Sequence, residues 1–123
     1  MNGTNLLLDT NIILYLLDGD ETLVEILDEK HVYVSFITEL ELYGFKKLTL
    51  IEKQKIDKVL SACTVIDVNA GIKNATIEIR KNYKVKLPDG LIAGTALYFD
   101  MPLLSADKGF QNIKSLDLIN YEK

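Results

Sequence analysis

The chain has 123 residues, a hydrophobic content of 48% and a formal net charge of −4. This length and apolar content are typical of one domain with one sizeable core, so residues 1–123 are expected to form a single domain. The negative charge argues against a protein that binds nucleic acid through its whole surface, but not against an enzyme with local basic patches.

The sequence also predicts a cytoplasmic protein that does not associate with membranes. No run approaches the roughly 18 consecutive apolar residues of a membrane span. Residues 1–5 lack the basic start of a secretory signal, and the apolar run behind them is interrupted by Asp9. The single cysteine, Cys63, has no partner for an internal disulfide, and we expect it to be a buried structural residue.

Strand-like runs alternate with helical periods along the chain. The predicted strands are 5–8, 31–35, 64–68 and 103–105, with 116–119 as a fifth strand at an edge. The predicted helices are 11–17, 21–28, 38–47, 51–62, 70–82 and 88–99, with Asp20 and Asn69 as N-caps and Pro88 in a first turn. This alternation is typical of an α/β domain whose mostly parallel sheet of four to five strands is covered on both faces.

Four acidic residues stand near the ends of these elements. Asp9 and Asp107 follow the first and fourth predicted strands. Glu41 lies about one turn into the helix after the second strand, and Asp89 begins the helix before the fourth. Because the C-terminal ends of parallel strands form one edge of the sheet, where sites lie near a reversal of strand order, we expect the four carboxylates to meet there.

Gathered carboxylates repel one another, which raises their pKa values and weakens the fold unless a cation is present. Mg²⁺ or Mn²⁺, which prefer oxygen ligands, is the expected occupant. Taken singly, three of the acids also have structural interpretations. Asp9 is a possible helix N-cap, Asp89 interacts favourably with a helix dipole, and Asp107 is an ordinary turn residue.

The positive charges fall in two runs, of which the second leads directly up to Asp89. The first run contains Lys46, Lys47, Lys53, Lys55 and Lys58, and the second contains Arg80, Lys81, Lys84 and Lys86. Such runs are either solvated helix faces or patches that follow a phosphate backbone, and the spacing alone favours the first interpretation.

Taken in order, four segments resemble the motifs of the PIN domain and, within it, the VapC-type toxins of type II toxin–antitoxin pairs. The segments are Leu-Asp-Thr-Asn at 8–11, Ser-Phe-Ile-Thr-Glu-Leu-Glu-Leu-Tyr-Gly at 35–44, Leu-Pro-Asp-Gly-Leu-Ile-Ala-Gly-Thr-Ala at 87–96 and Leu-Leu-Ser-Ala-Asp-Lys-Gly-Phe at 103–110. The resemblance covers essentially the whole chain.

The second motif departs from the family pattern by one residue. Measured from Ser35, the family's glutamate falls on Glu41, whereas counting back four residues from Gly44 reaches Leu40. Glu41 is therefore the preferred site residue, and Glu39 is the reserve candidate.

The resemblance implies a three-layer α/β/α PIN-like fold and a Mg²⁺- or Mn²⁺-dependent endoribonuclease that hydrolyses RNA phosphodiester bonds. It implies that Asn11 and Ser105 support the metal ligands or contact the substrate. It also implies a cognate antitoxin and a homodimer as partners. The residues it assigns as catalytic, direct or water-mediated metal ligands are Asp9, Glu41, Asp89 and Asp107.

Several apolar helical residues exceed what one small core obviously needs. They are expected mostly to pack in the core, and otherwise to form a groove for an antitoxin segment. These residues are Leu16, Leu23, Leu27, Leu42, Tyr43 and Phe45.

Two other function classes compete with the nuclease. One is a non-catalytic PIN-like module that binds RNA or protein. The other is a Mg²⁺-binding phosphoacceptor regulatory domain, which requires paired acids directly after the first strand, whereas Asp9 is followed by Thr10 and Asn11.

Overall fold

The computed structural model describes residues 4–122. The expectation that a secretory signal is missing rests partly on residues 1–3, which lie outside the described residues. The strands are β1 (Asn5–Leu8), β2 (His31–Ser35), β3 (Thr64–Ile66), β4 (Leu103–Ser105) and β5 (Leu118–Asn120). The helices are α1 (Thr10–Leu17), α2 (Glu21–Leu27), α3 (Phe36–Tyr43), α4 (Leu50–Ser61), α5 (Ala70–Asn82) and α6 (Leu87–Phe99), and a 3₁₀-helix spans Lys108–Asn112.

The five strands form one sheet in the order β3-β2-β1-β4-β5, and every pairing is parallel. The chain first builds outward from β1 through β2 to β3, and it then returns to add β4 and β5 on the other side of β1. The strand order therefore reverses between β1 and β4. The C-terminal ends of these two strands flank the position where α/β sheets bind their ligands.

Two hydrophobic clusters cover the two faces of the sheet, because successive side chains of a strand point to opposite faces. Leu6 and Leu8 of β1 pack with residues of α1 to α4, whereas Leu7 packs with residues of α5 and α6. All three leucines are buried. The predicted three-layer α/β/α architecture is thus confirmed.

The predicted helix at 38–47 is α3, which begins and ends earlier than expected. It begins earlier because the Ser35 hydroxyl accepts a hydrogen bond from the Ile37 amide and caps the helix. It ends at Gly44, whose amide donates to the Leu40 carbonyl. The sequence prediction missed both signals, although serine is a common N-cap and glycine a common helix end.

The last predicted strand, 116–119, is displaced to Leu118–Asn120, and the third ends at Ile66 rather than at residue 68. Leu116 is buried in the same cluster as Leu7 and its amide donates to the Ile113 carbonyl, so it belongs to a turn. The edge position of the last strand is as predicted.

The predicted caps agree with the structure, whereas Cys63 is less buried than expected. Asp20 accepts a hydrogen bond from the Leu23 amide, and Asn69 accepts one from the Ile72 amide. Cys63 lies half-buried between α4 and β3, and burial raises the pKa of its thiol to about 11. A thiol of this kind is unreactive at neutral pH, which agrees with a structural role. Within residues 4–122, no helix is both long and apolar enough to cross a membrane.

Helices α5 and α6 pack closely because α6 carries glycine where it faces α5. A Cβ built on Gly94 would collide with the Thr76 hydroxyl and lie 3.3 Å from the Ile72 carbonyl oxygen. A Cβ on Gly90 would instead lie 3.3 Å from the Arg80 Cγ, in a long side chain that can move. This contact fixes the position of α6, whose first turn carries Asp89.

Gly94→Ala is therefore expected to lower the free energy of unfolding by about 1–3 kcal/mol, since overpacking outweighs the better helix propensity of alanine. Gly90→Ala is the matched control in the same helix, and it is expected to leave stability unchanged or to raise it by up to about 1 kcal/mol. Urea denaturation of both variants measures the difference. Equal stability of the two variants would show that the α5–α6 contact is loose.

Candidate metal centre

The four predicted acids lie around one cleft at the C-terminal edge of the sheet. The cleft has a volume of about 240 Å³, and we call it the carboxylate cleft. Its lining residues are Asp9, Thr10, Asn11, Leu14, Glu41, Phe45, Asp89 and Asp107. The fold thus brings together side chains from α1, α3, α6 and the segments that follow β1 and β4.

Asp9 is the most firmly held of these acids and is only 5% exposed. The Thr10 amide donates to its Oδ1 at 2.8 Å, and the Ser105 hydroxyl donates to its Oδ2 at 2.8 Å. The Ser105 oxygen in turn accepts a hydrogen bond from the Asp107 amide at 2.9 Å. Ser105 therefore ties together the two acidic segments that end β1 and β4.

Asp9 also occupies the N-cap position of α1. An N-cap side chain ordinarily accepts from the second or third helical amide, whereas Asp9 accepts from the first, that of Thr10. Capping therefore explains only one of the two hydrogen bonds that Asp9 accepts. The other carboxylate oxygen accepts from the Ser105 hydroxyl at the end of β4.

Glu41 is held by a pair of threonines that the sequence analysis did not identify. The Thr10 hydroxyl donates to Glu41 Oε1 at 2.7 Å. Because this uses the only hydroxyl proton of Thr10, the buried Thr38 hydroxyl must be the donor in the 2.9 Å contact between the two threonines. The available signal was that Thr10 adjoins Asp9 and that Thr38 lies three residues before Glu41.

Glu39, the reserve candidate, does not line the carboxylate cleft. It lies near the Tyr43 hydroxyl, whose pKa is raised to about 12, mainly by a hydrogen bond to Asp57 and to a smaller extent by the charge of Glu39. Two residues apart on α3, the glutamates face different directions, as expected.

Asp89 and Asp107 complete the lining of the cleft. Asp89 lies half-buried in the first turn of α6, where the helix dipole favours an acid. Asp107 caps the 3₁₀-helix by accepting a hydrogen bond from the Gly109 amide at 2.8 Å. The structural interpretations of these two acids therefore hold alongside their position at the cleft.

Burial and the neighbouring acids raise the pKa values of Asp9 and Asp89. The pKa of Asp9 rises from 3.8 to about 6, first through burial and further through the charges of Asp89 and Asp107, although the hydrogen bonds from Ser105 and Thr10 oppose the rise. Burial also raises the pKa of Asp89, and the charges of Asp107 and Glu41 add to this effect. The cluster is thus electrostatically unfavourable without a cation, as the sequence predicted.

The donors suit Mg²⁺ or Mn²⁺ in kind, because they are carboxylate oxygens. As the side chains are placed, residues 4–122 contain no group of three or more His, Cys, Asp or Glu residues close enough to hold an ion directly. Mg²⁺ usually keeps several waters, so ligation partly through water fits such a cleft.

A family model described as the PIN domain matches residues 6–116. The chain belongs to the PIN domain family. This match confirms the resemblance found in the sequence. It also argues against the phosphoacceptor regulatory domain as the family of this chain.

Several solved structures are similar to the chain over nearly its whole length. VapBC2 from Rickettsia felis, bound to a DNA fragment from its promoter, matches with a TM-score of 0.85 and 26% identity, covering 96% of this chain and 99% of that one. A toxin–antitoxin complex from Klebsiella pneumoniae matches with a TM-score of 0.80 and 29% identity, covering 95% and 98%. FitAcB from Neisseria gonorrhoeae matches with a TM-score of 0.76 and 25% identity, covering 94% and 96%. No curated protein sequence matches the chain.

Asp9→Asn is expected to stabilise the metal-free protein at neutral pH. The folded pKa of about 6 lies above the ordinary value of 3.8, so the folded state binds the proton more tightly and stability falls as the pH rises from about 4 to 6. The full penalty, at most about 3 kcal/mol, is present above the folded pKa. Asparagine carries no charge, so the substitution removes this penalty. Its side-chain oxygen still accepts from the Thr10 amide, and its NH₂ group donates to the Ser105 hydroxyl oxygen.

The measurement is urea denaturation in EDTA at several pH values. The advantage of Asp9→Asn should be largest above about pH 7 and small near pH 4. Asp117→Asn, at an exposed position outside the carboxylate cleft, is the control for loss of one charge. If Asp9→Asn instead destabilises the protein at every pH, the hydrogen bonds of the Asp9 carboxylate contribute more to stability than its burial and its repulsion from Asp89 and Asp107 cost.

Proposed function

We propose that this PIN domain protein is a Mg²⁺- or Mn²⁺-dependent endoribonuclease that hydrolyses RNA phosphodiester bonds as the toxin of a VapBC-type toxin–antitoxin pair. The observation that carries the proposal is the convergence of four acids, distant in sequence, on one cleft beside β1 and β4. Membership of the PIN domain family and the similarity to toxin–antitoxin structures support it.

Asp9, Glu41, Asp89 and Asp107 would hold the metal ion, directly or through water. Bound there, Mg²⁺ or Mn²⁺ would supply a water of lowered pKa and offset the negative charge of the phosphate. Burial of this ion among four carboxylates would also relieve the repulsion that raises the pKa values of Asp9 and Asp89.

The hydroxyl groups around the cleft position the carboxylates. Ser105 and the Thr10 amide fix both oxygens of Asp9, and the Thr10 hydroxyl fixes one oxygen of Glu41. Asn11, which is exposed and lines the cleft, would contact the substrate. One carboxylate of the set assists as general base, because the single histidine, His31, lies at the start of β2, away from the C-terminal edge.

The protein would act in the cytoplasm as a homodimer, and a cognate antitoxin would hold it inactive. Of the apolar residues predicted to be available for this contact, Leu23 and Leu42 are fully buried in the core, and Leu16, Leu27 and Tyr43 pack partly against it. Leu16 and Leu27 also line an apolar groove of about 710 Å³, with Val24, Val32, Val59 and Cys63. An amphipathic helix of the antitoxin suits such a groove.

Asp9→Asn and Asp89→Asn are each expected to reduce Mg²⁺-dependent cleavage of RNA at least about 100-fold, because each removes an ionised oxygen ligand. Cleavage of a labelled single-stranded RNA, with Mg²⁺, Mn²⁺ or EDTA, measures this loss. Circular dichroism and urea denaturation verify that the variants fold. Undiminished cleavage by either variant would refute the assignment, and metal-independent binding of RNA without cleavage by the unaltered protein would favour the non-catalytic module.

Glu41→Gln and Glu39→Gln form a matched pair on one helix. Glu41→Gln should lower kcat about 100-fold, because Glu41 lines the cleft and Glu39 does not. Glu39→Gln should change kcat less than about threefold, as expected for a surface substitution. The reverse order of effects would make Glu39 the site residue and would imply that α3 rotates when RNA binds.

A further inference from the structure

A second surface feature lies between the C-terminal half of α5 and the start of α6. It is a groove of about 550 Å³, which we call the basic groove. Its lining includes Arg80, Lys81, Tyr83, Lys84, Val85 and Leu87, and none of its lining residues is acidic. These cations belong to the second basic run in the sequence.

The basic groove and the carboxylate cleft share no lining residue, but both reach the first turn of α6. Leu87 lines the groove and Asp89 lines the cleft, and these two residues, two positions apart, face different directions. The Arg80 Cγ approaches within 3.3 Å of the position that a Cβ on Gly90 would take, directly beside Asp89. Lys86 directly precedes α6, and its charge lowers the pKa of Asp89, against the burial and the acids that raise it.

The cations that line this groove are not accompanied by acidic lining residues. Among residues 4–122, Arg80 and Lys84 have no acidic partner within 4.0 Å, and Lys81 forms an exposed ion pair with Glu78 at 3.9 Å. On α4, Lys53 pairs with Asp57 at 3.3 Å, and Lys55 lines a pocket together with Asp18 and Glu52. The groove therefore differs from α4 in presenting its cations on a concave surface without acids.

We infer that the basic groove binds the backbone of single-stranded RNA next to the scissile phosphodiester, with Arg80 and Lys84 contacting phosphates. This inference rests on the proposed ribonuclease function. Cations that follow a backbone and an aromatic ring on which a base stacks are the two elements of grooves for single-stranded nucleic acid, and Tyr83 supplies the ring.

The groove also answers an electrostatic difficulty of the proposed site. A protein of net charge −4 with an acidic cleft repels RNA at long range. In this proposal the cations of the groove offset this repulsion near the cleft. Arg80 and Lys84 are thereby positioning residues for the substrate and take no part in the chemical step.

The test compares Arg80→Gln/Lys84→Gln with the control Lys58→Gln/Lys73→Gln. Both double variants lose two positive charges, and the control residues are exposed and line neither the groove nor the cleft. Cleavage of a single-stranded RNA oligonucleotide is measured with Mg²⁺ or Mn²⁺ at several salt concentrations. The same variants are then tested for RNA binding by fluorescence anisotropy in EDTA.

The groove variant should raise KM about tenfold with kcat nearly unchanged, and its salt dependence of log(kcat/KM) should be shallower by about 1.4, since each phosphate contact to a single strand contributes about 0.7. The control should match the unaltered protein. An unchanged KM and salt slope in the groove variant would overturn the inference and leave the ribonuclease function intact.

If the unaltered protein cleaves no RNA, the proposed function fails, and binding alone decides the groove. Weaker RNA binding by the groove variant, but not by the control, would then support the groove as an RNA site. Equal binding by all three proteins would overturn it. Normal RNA binding combined with lost binding of poly-glutamate by the groove variant would assign the groove to an acidic protein segment and also overturn the inference.

Discussion

The burial of the Asp9 carboxylate beside other acids is the constraint on which the rest of this structure depends. Burial alone disfavours its charged form, and Asp89 and Asp107 add repulsion. The fold compensates in part with hydrogen bonds from Ser105 and the Thr10 amide to its two oxygens. These bonds hold the carboxylate in place but do not cancel the penalty, since its pKa remains raised. A cluster built in this way would gain stability from a bound cation, because the cation offsets the repulsion.

The parallel sheet explains why these groups meet. β1 and β4 are neighbours in the sheet, although most of the chain lies between them in sequence. This pairing places Asp9, which follows β1, close enough to Ser105, the last residue of β4, for a direct hydrogen bond. The reversal of strand order at this point leaves a gap between the helices that follow the strands. Helices α3 and α6 supply Glu41 and Asp89 at the rim of that gap. The site is thus a consequence of topology, with the tight α5–α6 packing at Gly94 setting the position of one rim.

Much of this arrangement was predictable from periodicity, because Asp9 and Asp107 follow short apolar runs that are recognisable as strands. The choice between Glu39 and Glu41 was harder, since both lie on one helix and only the rotation of α3 about its axis separates them. That rotation depends on long-range packing of Thr38 and Leu42, which are buried. The Thr38–Thr10–Glu41 hydrogen bonds join α1 to α3 and have no local signature. The helix and strand ends differ from the predicted ones at two kinds of position. One is a cap that periodicity does not show, such as Ser35, and the other is a buried residue in a turn, such as Leu116.

The two basic runs look alike in sequence but have different surroundings in the folded protein. Their spacing alone favours solvated helix faces for both. On α4 this interpretation fits, because Lys53 pairs with Asp57 and Lys55 lies near Glu52. At the end of α5, Lys81 pairs with Glu78, whereas Arg80 and Lys84 line a groove without acidic residues near the turn of α6 that carries Asp89. Since exposed charges interact mainly within about 10 Å at ordinary salt, this local field outweighs the net charge of the protein for a substrate already near the cleft.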